Sequence, residues 1–476
     1  MEKIKIAIID NGVDELALGK KISEKVYINE KKEWIVDDAD MSEISFAHGT
    51  ICAAIIQKHC LNSEIYSIRL LNEKGNGLIE HLKPALDWCI KKGIYLVNLS
   101  LGTTHFRDKT LLRTLINHYA SMGIVIVAAT SNSGYESYPA SFSNIIGVAA
   151  QSPFFRDNLK NLFLGIDVLV ESEHTITLCG VASVTQKSNS YAAPFVTAYI
   201  GRILIEQKFQ DIVKIRHLLR KDSKELLVTL HEMYEPDWIC NAVISADINK
   251  SRADFYFNVV AEGEVDQADT FIIDKLSDLD QVAQLGKHII YIGWEKIKKE
   301  LDNCFFWCPN DKVKFIDGCI ENEHELDIPV IVCEVDNKMD EIFLLTELKK
   351  GFAECEYNIY TAGLKPENVL YELEYIPEQC LSKWNKVREF IYRQTLYKQN
   401  DGVLFSIIEE KSDNIKQLFK EIDVIVRIDK VNGKYLAKIH SEDIVMSKIG
   451  SDEMDKDFVE KIVNQLITIL TEDEDG

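Results

Sequence analysis

No run of apolar residues in this 476-residue chain approaches the ~18 needed to cross a bilayer. The opening MEKIKIAIIDNGVD holds neither a long apolar stretch nor a small-residue cleavage site, so no secretory signal is expected and the chain reads as cytoplasmic. No CxxC pair occurs. The eleven cysteines are odd in number and scattered singly, in a chain long enough to build a core without staples, which points to reduced thiols. Cys304, Cys308, Cys319 and His324 come nearest to a zinc-ligand spacing, but CFFWC reads as packed core, so no metal and no cofactor is assigned. The second half has neither a G-x-x-x-x-G-K-[ST] loop nor a G-x-G-x-x-G turn after a strand, which removes support for nucleotide binding. Internal repeats and low-complexity linkers are also missing. Only the acidic tail TEDEDG is expected to fray.

Basic charge is scarce in one half only. The net charge is −22, from 54 Lys and Arg against 76 Asp and Glu. Residues 1–250 carry 27 basic and 29 acidic side chains, and residues 251–476 carry 27 and 47. Two regions of different character are therefore expected. Neither nucleic acid nor an anionic membrane suits the acidic one, because both would be repelled.

The length favours two to three domains. In the first half, segments 4–10, 63–71, 93–102, 123–130 and 144–150 are nearly continuous apolar runs rich in β-branched residues, as strands buried on both faces should be. Helical spacing fills 48–59, 77–92 and 108–122, and after a longer stretch at 151–187 it returns at 190–207 and 211–223. This alternation predicts an α/β domain over 1–230 with a mostly parallel sheet flanked by helices. Strand-like runs at 287–294, 328–336, 357–363, 402–410 and 423–429, with helices at 339–354, 380–398, 413–421 and 455–471, predict a second, acidic α/β domain over 250–476.

Four polar residues stand at the ends of these elements. Asp10 ends the first strand, His48 opens a helix in FAHGTICAAII, Asn132 follows the strand IVIVAAT, and Ser190 begins an apolar helix in KSNSYAAPFVTA. Each has an ordinary reading: Asp10 and Asn132 as turn residues, His48 as a helix-start residue, Ser190 as an N-cap. Together they supply what a serine nucleophile needs, namely a base, a carboxylate to orient it, and donors for the developing oxyanion. Ser190 at a helix N-terminus would add its own backbone N–H.

The segments IIDNGVD, HGTICAAII, LVNLSLG, VAATSNSG, YPASFSNIIGVAA and SNSYAAPFVTA, in this order over about residues 1–225, resemble the subtilisin family of serine proteases. The resemblance implies a catalytic triad of Asp10, His48 and Ser190, with Asn132 in the oxyanion hole. It implies a substrate strand at Ser100, Leu101 and Gly102, and a specificity pocket walled from Asn132 to Tyr138 that includes Ser133, Glu136 and Ser137. Glu136 there would meet a basic side chain. The family's pattern is departed from at Ser131, Ser188, Asn189, Tyr191 and Phe195; Ser131 and Ser188 would crowd a backbone that normally relies on glycine. With the aspartate strand starting at residue 4, the prodomain of secreted members is not expected, and restraint by substrate selectivity or by an appended domain is expected, with the acidic second half as the candidate.

The run IPVIVCEVDNKMDEIFLLTELKKGF with YNIYTAG resembles accessory proteins of bacterial peptide-maturation systems. The reading is a cytoplasmic serine endopeptidase acting on a peptide or protein, sharpened to removal of a leader from a ribosomally made precursor peptide. The acidic half would recognise substrate, regulate, or dimerise, which leaves a homo-oligomer open. A general degradative protease, an inactive peptide-binding relative and a structural adaptor are the alternatives.

Overall fold

The heptapeptide IKIAIID forms a strand, β1 (Ile4–Asp10), whose two faces are both buried. Ile6 and Ile8 turn into one apolar cluster while Ala7 and Ile9 turn into another, the two-residue alternation of a strand covered on both sides. In the computed structural model the described residues are 3–29, 33–36, 48–72, 77–156, 163–207, 211–221, 226–228, 235–248, 251–297, 301, 303–321, 324–408, 415, 417–419, 421–441 and 444–472. They fall into two units, Met1–Glu232 and Met233–Gly476.

In the first unit β1 is joined by β2 (Glu24–Ile28), β3 (Trp34–Val36), β4 (Ser63–Arg69), β5 (Leu96–Leu99), β6 (Val125–Ala129), β7 (Ile146–Ala150), β8 (Val168–Val170) and a late strand, Leu227–Val228. From that late strand the order across the sheet is β8-β7-β6-β5-β1-β4-β2-β3. All pairings are parallel except those of β3 and the late strand at the two edges. Short helix α1 (Glu15–Leu18) follows β1. On one face of the sheet lie α2 (His48–His59), α5 (Asn189–Gln207) and α6 (Ile212–Lys221), packed through Cys52, Ile55, Ala192, Val196 and Ile215. On the other face α3 (Leu82–Lys92) and α4 (Asp108–Ser121) pack through Leu86, Trp88, Leu112 and Ile116. The mostly parallel sheet flanked by helices is as the sequence predicts. The stretch 151–187 also holds β8 and an antiparallel ribbon, β9 (Thr175–Leu178) with β10 (Val181–Val184). The ribbon buries Ile176 and Leu178 and exposes its other strand, a pattern too brief to separate from a loop.

Among its described residues, unit two contains two sheets. The smaller one is wholly parallel: Asn241–Ile244 lies between Asn258–Val259 and Thr270–Ile273, followed by His288–Tyr291 and Phe306–Trp307. The larger has seven strands, with Val330–Val335 and Gly402–Ile408 at its centre and Val424–Val431 beside them in parallel. Two antiparallel strands, Lys434–Ser441 and Ile444–Ser451, extend it to an edge at which Ile444, Val445 and Met446 are exposed. Those two strands and the strands of the smaller sheet before residue 287 lie outside the sequence expectation: the first two are largely exposed or half-buried, and the others run for only two to four residues. The helix expected at 413–421 lies partly outside the described residues, at 413, 414, 416 and 420. Among the described residues no helix is long and apolar enough to cross a membrane.

One buried ion pair locks the first unit. Asp167, 1% exposed, takes the Arg216 guanidinium at 3.0 Å and accepts a hydrogen bond from Gly147 N–H at 2.9 Å. Arg216 also donates to the Ile145 carbonyl at 2.8 Å. Removing one member leaves a buried charge unmet. Asp167→Ala is therefore expected to cost the first unit about 3–5 kcal/mol, read as an earlier transition in denaturant; a loss below about 1 kcal/mol would show the pair to be screened like a surface bridge.

Candidate active site

Asp10 sits at the end of β1, 1% exposed. One carboxylate oxygen accepts from Asn11 N–H at 2.8 Å, and the other meets His48 Nδ1 at 2.8 Å. A carboxylate only accepts, so this contact sets the proton on Nδ1 and leaves Nε2 as the basic nitrogen. The sequence HGT makes the approach possible. A Cβ on Gly49 would lie 2.5 Å from the Gly12 carbonyl oxygen and 3.2 Å from the Asp10 Cβ, so only glycine lets the helix start come this close. Gly49 N–H donates to Asn11 Oδ1 at 3.0 Å, and the Thr50 hydroxyl accepts from Asp14 N–H at 2.9 Å.

Ser190 lies in the first turn of α5, partly exposed. The next residue, Tyr191, stacks its ring on His48 with centroids 5.2 Å apart. Behind the serine a buried polar chain ties α5 to the sheet. Thr197 Oγ1 donates to Asn98 Oδ1 at 3.0 Å, Asn98 Nδ2 donates to Ser100 Oγ at 3.0 Å, and Ser100 Oγ donates to the Ser190 carbonyl at 3.0 Å. Among the described residues no hydrogen bond joins the Ser190 hydroxyl to His48, and Ser190 N–H donates to Ser188 Oγ at 3.3 Å. Loose contacts of this kind are common before substrate binds.

The departures at Ser188, Asn189 and Ser131 are accommodated by hydrogen bonds. Asn189 accepts from Ala150 N–H at 2.8 Å through Oδ1, while its Nδ2 donates to the Ser131 carbonyl at 3.0 Å and the Thr130 carbonyl at 3.3 Å. Its N–H donates to Asn132 Oδ1 at 3.0 Å. That last bond orients the exposed Asn132 amide, with its oxygen held and its NH₂ left for another acceptor. Ser131 N–H donates to Ser137 Oγ at 2.8 Å, and the Ser131 and Ser133 hydroxyls meet at 2.6 Å. Phe195 packs in an aromatic group with His59 and His174, centroids 4.7 and 5.5 Å away.

The expected substrate segments lie side by side. Thr103 and Tyr138 exchange backbone hydrogen bonds of 2.9 and 2.7 Å, and a Cβ on Gly102 would stand 2.8 Å from the Tyr138 carbonyl oxygen. Leu101 is half-buried and Gly102 exposed. The side chains of Ser100 and Ser137 turn inward, and Ser133 alone of the expected serines is exposed. Glu136 is buried and accepts from the Tyr138 hydroxyl at 2.9 Å, so its carboxylate is engaged within the protein.

Sequence reasoning missed Cys52. Its sulfur lies one helical turn from His48, 4.0 Å from Nδ1, 3.6 Å from Ser100 Oγ and 3.9 Å from the Ser190 carbonyl oxygen. The spacing of four residues on a predicted helix was the available signal, hidden inside the apolar run ICAAII. Asp10, His48 and Cys52 place their ligand atoms within 4.8 Å of one another, a donor set able to hold a metal ion that would compete with the Asp–His pair. By contrast, Cys304, Cys308, Cys319 and His324 do not form such a group among the described residues. Cys308 bonds to Asp311, Cys319 to the Phe315 carbonyl and His324 to Glu389.

Burial is the largest influence on the His48 imidazole and opposes its charged form. The pull of the Cys52 sulfur, the hydrogen bond to Asp10 and the Asp10 charge act the other way and prevail, pushing its pKa up to about 12. Cys52→Ala is expected to lower that pKa, seen as a shift of the His48 ring resonances to a lower midpoint in an NMR titration. An unchanged midpoint would show that Asp10 alone sustains the imidazolium.

With this geometry established, comparison with known proteins places the first unit. The Peptidase S8 model, described as Subtilase family, matches residues 1–231. Minor extracellular protease Epr of Bacillus subtilis (strain 168) is 28% identical over 244 residues, covering 47% of this chain and 36% of that protein. Alkaline protease of Alkalihalobacillus alcalophilus is 27% identical over 169 residues, covering 35% of this chain and 44% of the relative. Subtilisin BL of Lederbergia lenta is 27% identical, covering 35% and 62%. The chain thus spans from about one third to under two thirds of the length of these relatives. Among solved structures, a cold adapted subtilisin-like serine proteinase shares 19% identity at a TM-score of 0.37, covering 46% of this chain and 82% of that one. A lanthipeptide protease shares 17% at 0.37, covering 46% and 80%. The subtilase family model thus accounts for residues 1–231, just under half of the chain.

Proposed function

We propose that the protein is a serine endopeptidase that hydrolyses peptide bonds with Ser190 as nucleophile. The observation that carries this reading is the 2.8 Å bond of His48 Nδ1 to buried Asp10, with Ser190 in the helix turn that stacks against His48. Nε2 takes the Ser190 hydroxyl proton as Oγ attacks the scissile carbonyl carbon. Asp10 holds the tautomer and stabilises the imidazolium that forms. The carbonyl oxygen becomes an oxyanion received by Asn132 Nδ2, whose partner oxygen is already held, and by Ser190 N–H once it leaves Ser188 Oγ. Collapse expels the amine with the proton from His48. Water, deprotonated by the same nitrogen, then releases the acyl group.

The finer reading is a cytoplasmic maturation protease that trims a ribosomally made precursor peptide, with the acidic second unit recognising the substrate. The charge division supports separate tasks, since nearly all the excess acid lies beyond residue 250. A second reading, a peptide-binding relative without turnover, is favoured by one observation: Ser188 Oγ engages the N–H that the oxyanion requires.

Labelling of the full-length protein with a fluorophosphonate separates the two. Labelling that Ser190→Ala abolishes is expected; none, with the protein folded, would favour the second reading. Asn132→Ala is expected to slow peptide hydrolysis by about 10²–10³-fold. The base must be neutral to accept a proton, and its raised pKa favours the charged form at neutral pH. The labelling rate should therefore climb with pH well into the alkaline range, and Cys52→Ala should move that climb to lower pH. A rate already level near pH 7 in the unaltered protein would contradict the assigned electrostatics.

A further inference from the structure

Two polar side chains reach the His48 ring among the described residues, and both reach it at the same atom. Asp10 Oδ2 lies 2.8 Å from Nδ1, and the Cys52 sulfur lies 4.0 Å from it. Anchoring one atom of a ring leaves its plane undetermined. The imidazole can pivot about Nδ1 and carry Nε2, on the far side of the ring, through an arc. Nε2 is the nitrogen that has to face the serine, and the His48 side chain is 30% exposed, so it is not walled in on every side.

A contact on the ring face supplies what a contact at one edge cannot. The Tyr191 ring lies against the imidazole with centroids 5.2 Å apart and planes 25° from parallel, within the range of offset-stacked aromatic pairs. Tilting the imidazole parts the two faces and forfeits their dispersion contacts. Tyr191 is one of the departures from the family pattern, and it is itself firmly held. It is 6% exposed, in the apolar cluster that includes Cys52, Ile176, Leu178 and Ala192. Its N–H donates to the Ser188 carbonyl at 3.1 Å, and its carbonyl oxygen accepts from His174 Nε2 at 3.0 Å. His174 is buried and tied in turn to Thr185: its N–H donates to Thr185 Oγ1 at 2.9 Å, and Thr185 N–H donates to its carbonyl at 3.0 Å. These two residues flank the β9–β10 ribbon, so the ribbon's base braces the first turn of α5. Tyr191 also follows Ser190 directly. The ring that lies on the base is therefore carried by the same helical turn as the nucleophile.

We propose that Tyr191 is a positioning residue for the hydrolysis, whose ring face fixes the plane of His48 so that Nε2 is presented to Ser190. The proposal rests on the reading of Ser190 as nucleophile and His48 as base, and adds what aligns the second to the first. The same face attracts the imidazolium that forms when the proton is taken. The titratable groups that act on His48 are Asp10 and Cys52, with Tyr191 itself against its face, and a change at Tyr191 leaves the other two in place. Loss of the ring then has two effects of opposite sign on the rate at a pH below the His48 midpoint. A lower midpoint leaves more of the base neutral and by itself speeds the reaction, whereas lost alignment slows it.

The test measures fluorophosphonate labelling of the full-length protein near pH 8 over a range of probe concentrations, for the unaltered chain, Tyr191→Leu and Tyr191→Phe. Tyr191→Leu keeps an apolar side chain without the aromatic face. It is expected to cut the rate at saturating probe by at least about 10-fold while the half-saturating concentration stays the same. Tyr191→Phe keeps the face and is expected to label like the unaltered chain. In an NMR titration the His48 midpoint should fall by about half a unit or more in Tyr191→Leu and stay in place in Tyr191→Phe. Because a lower midpoint alone speeds labelling at this pH, slower labelling reports alignment. Labelling of Tyr191→Leu as fast as that of the unaltered chain would overturn the proposal. Equal slowing in Tyr191→Phe would overturn it too, by assigning the effect to the hydroxyl. If Tyr191→Leu does not fold, the unaltered chain still decides: a nuclear Overhauser contact between the ring protons of His48 and Tyr191 is expected, and its absence removes the clamp. Labelling of the unaltered chain and Tyr191→Leu alike removes this inference alone, while no labelling of the unaltered, folded chain removes the peptidase reading on which it rests.

Discussion

A carboxylate buried at the end of β1 is tolerable only if its charge is matched, and the bond from His48 Nδ1 to Asp10 Oδ2 is what matches it. Much of the first unit serves that requirement. β1 is interior to the sheet, flanked by β4 and β5, so its position is set by pairing on both sides. Asn11 then crosses to Gly49, and Asp14 to Thr50, so the loop after the strand and the start of α2 are stitched before any catalytic side chain is considered. The histidine inherits its place from these backbone ties.

The serine is placed by a different device. Its helix is apolar and would slide against the sheet if dispersion alone held it. The polar chain from Thr197 through Asn98 and Ser100 to the Ser190 carbonyl fixes its height, and Asn189 fixes its beginning by bonding to the ends of β6 and β7. An asparagine has the donors and the acceptor for three backbone partners at once. This explains how a residue unlike the family pattern fits at that position. Ser100 thereby acquires a task in supporting the serine that its place in the expected substrate strand does not suggest.

The central strands of both units were legible because they are buried on both faces and their sequences are almost unbroken in Ile, Val, Leu and Ala. Edge elements were not. β9 and the strand Lys434–Ser441 mix exposed and buried positions over lengths that loops also show, and Ile444–Ser451 has no buried position. At the site, Asp10, His48, Asn132 and Ser190 could be proposed from their order alone. Cys52 could not, because a cysteine among isoleucines and alanines reads as core, which it also is. Glu136 lies in the expected pocket-wall segment, and one of its carboxylate oxygens accepts from the hydroxyl of Tyr138, a partner two residues on that the sequence does not announce.

The close approach at Gly49 has a consequence for motion. With 2.5 Å between the place of a missing Cβ and the Gly12 carbonyl oxygen, the helix bearing His48 and the loop that follows Asp10 share one backbone seam. Neither side can drift by an ångström without opening the hydrogen bonds from Gly49 N–H to Asn11 Oδ1 and from Asp14 N–H to Thr50 Oγ1. Amide protons on the two sides of that seam should then exchange with solvent together, as one cooperative unit tied to the central sheet. Slack in this candidate site is left to its serine end, where the contacts are long.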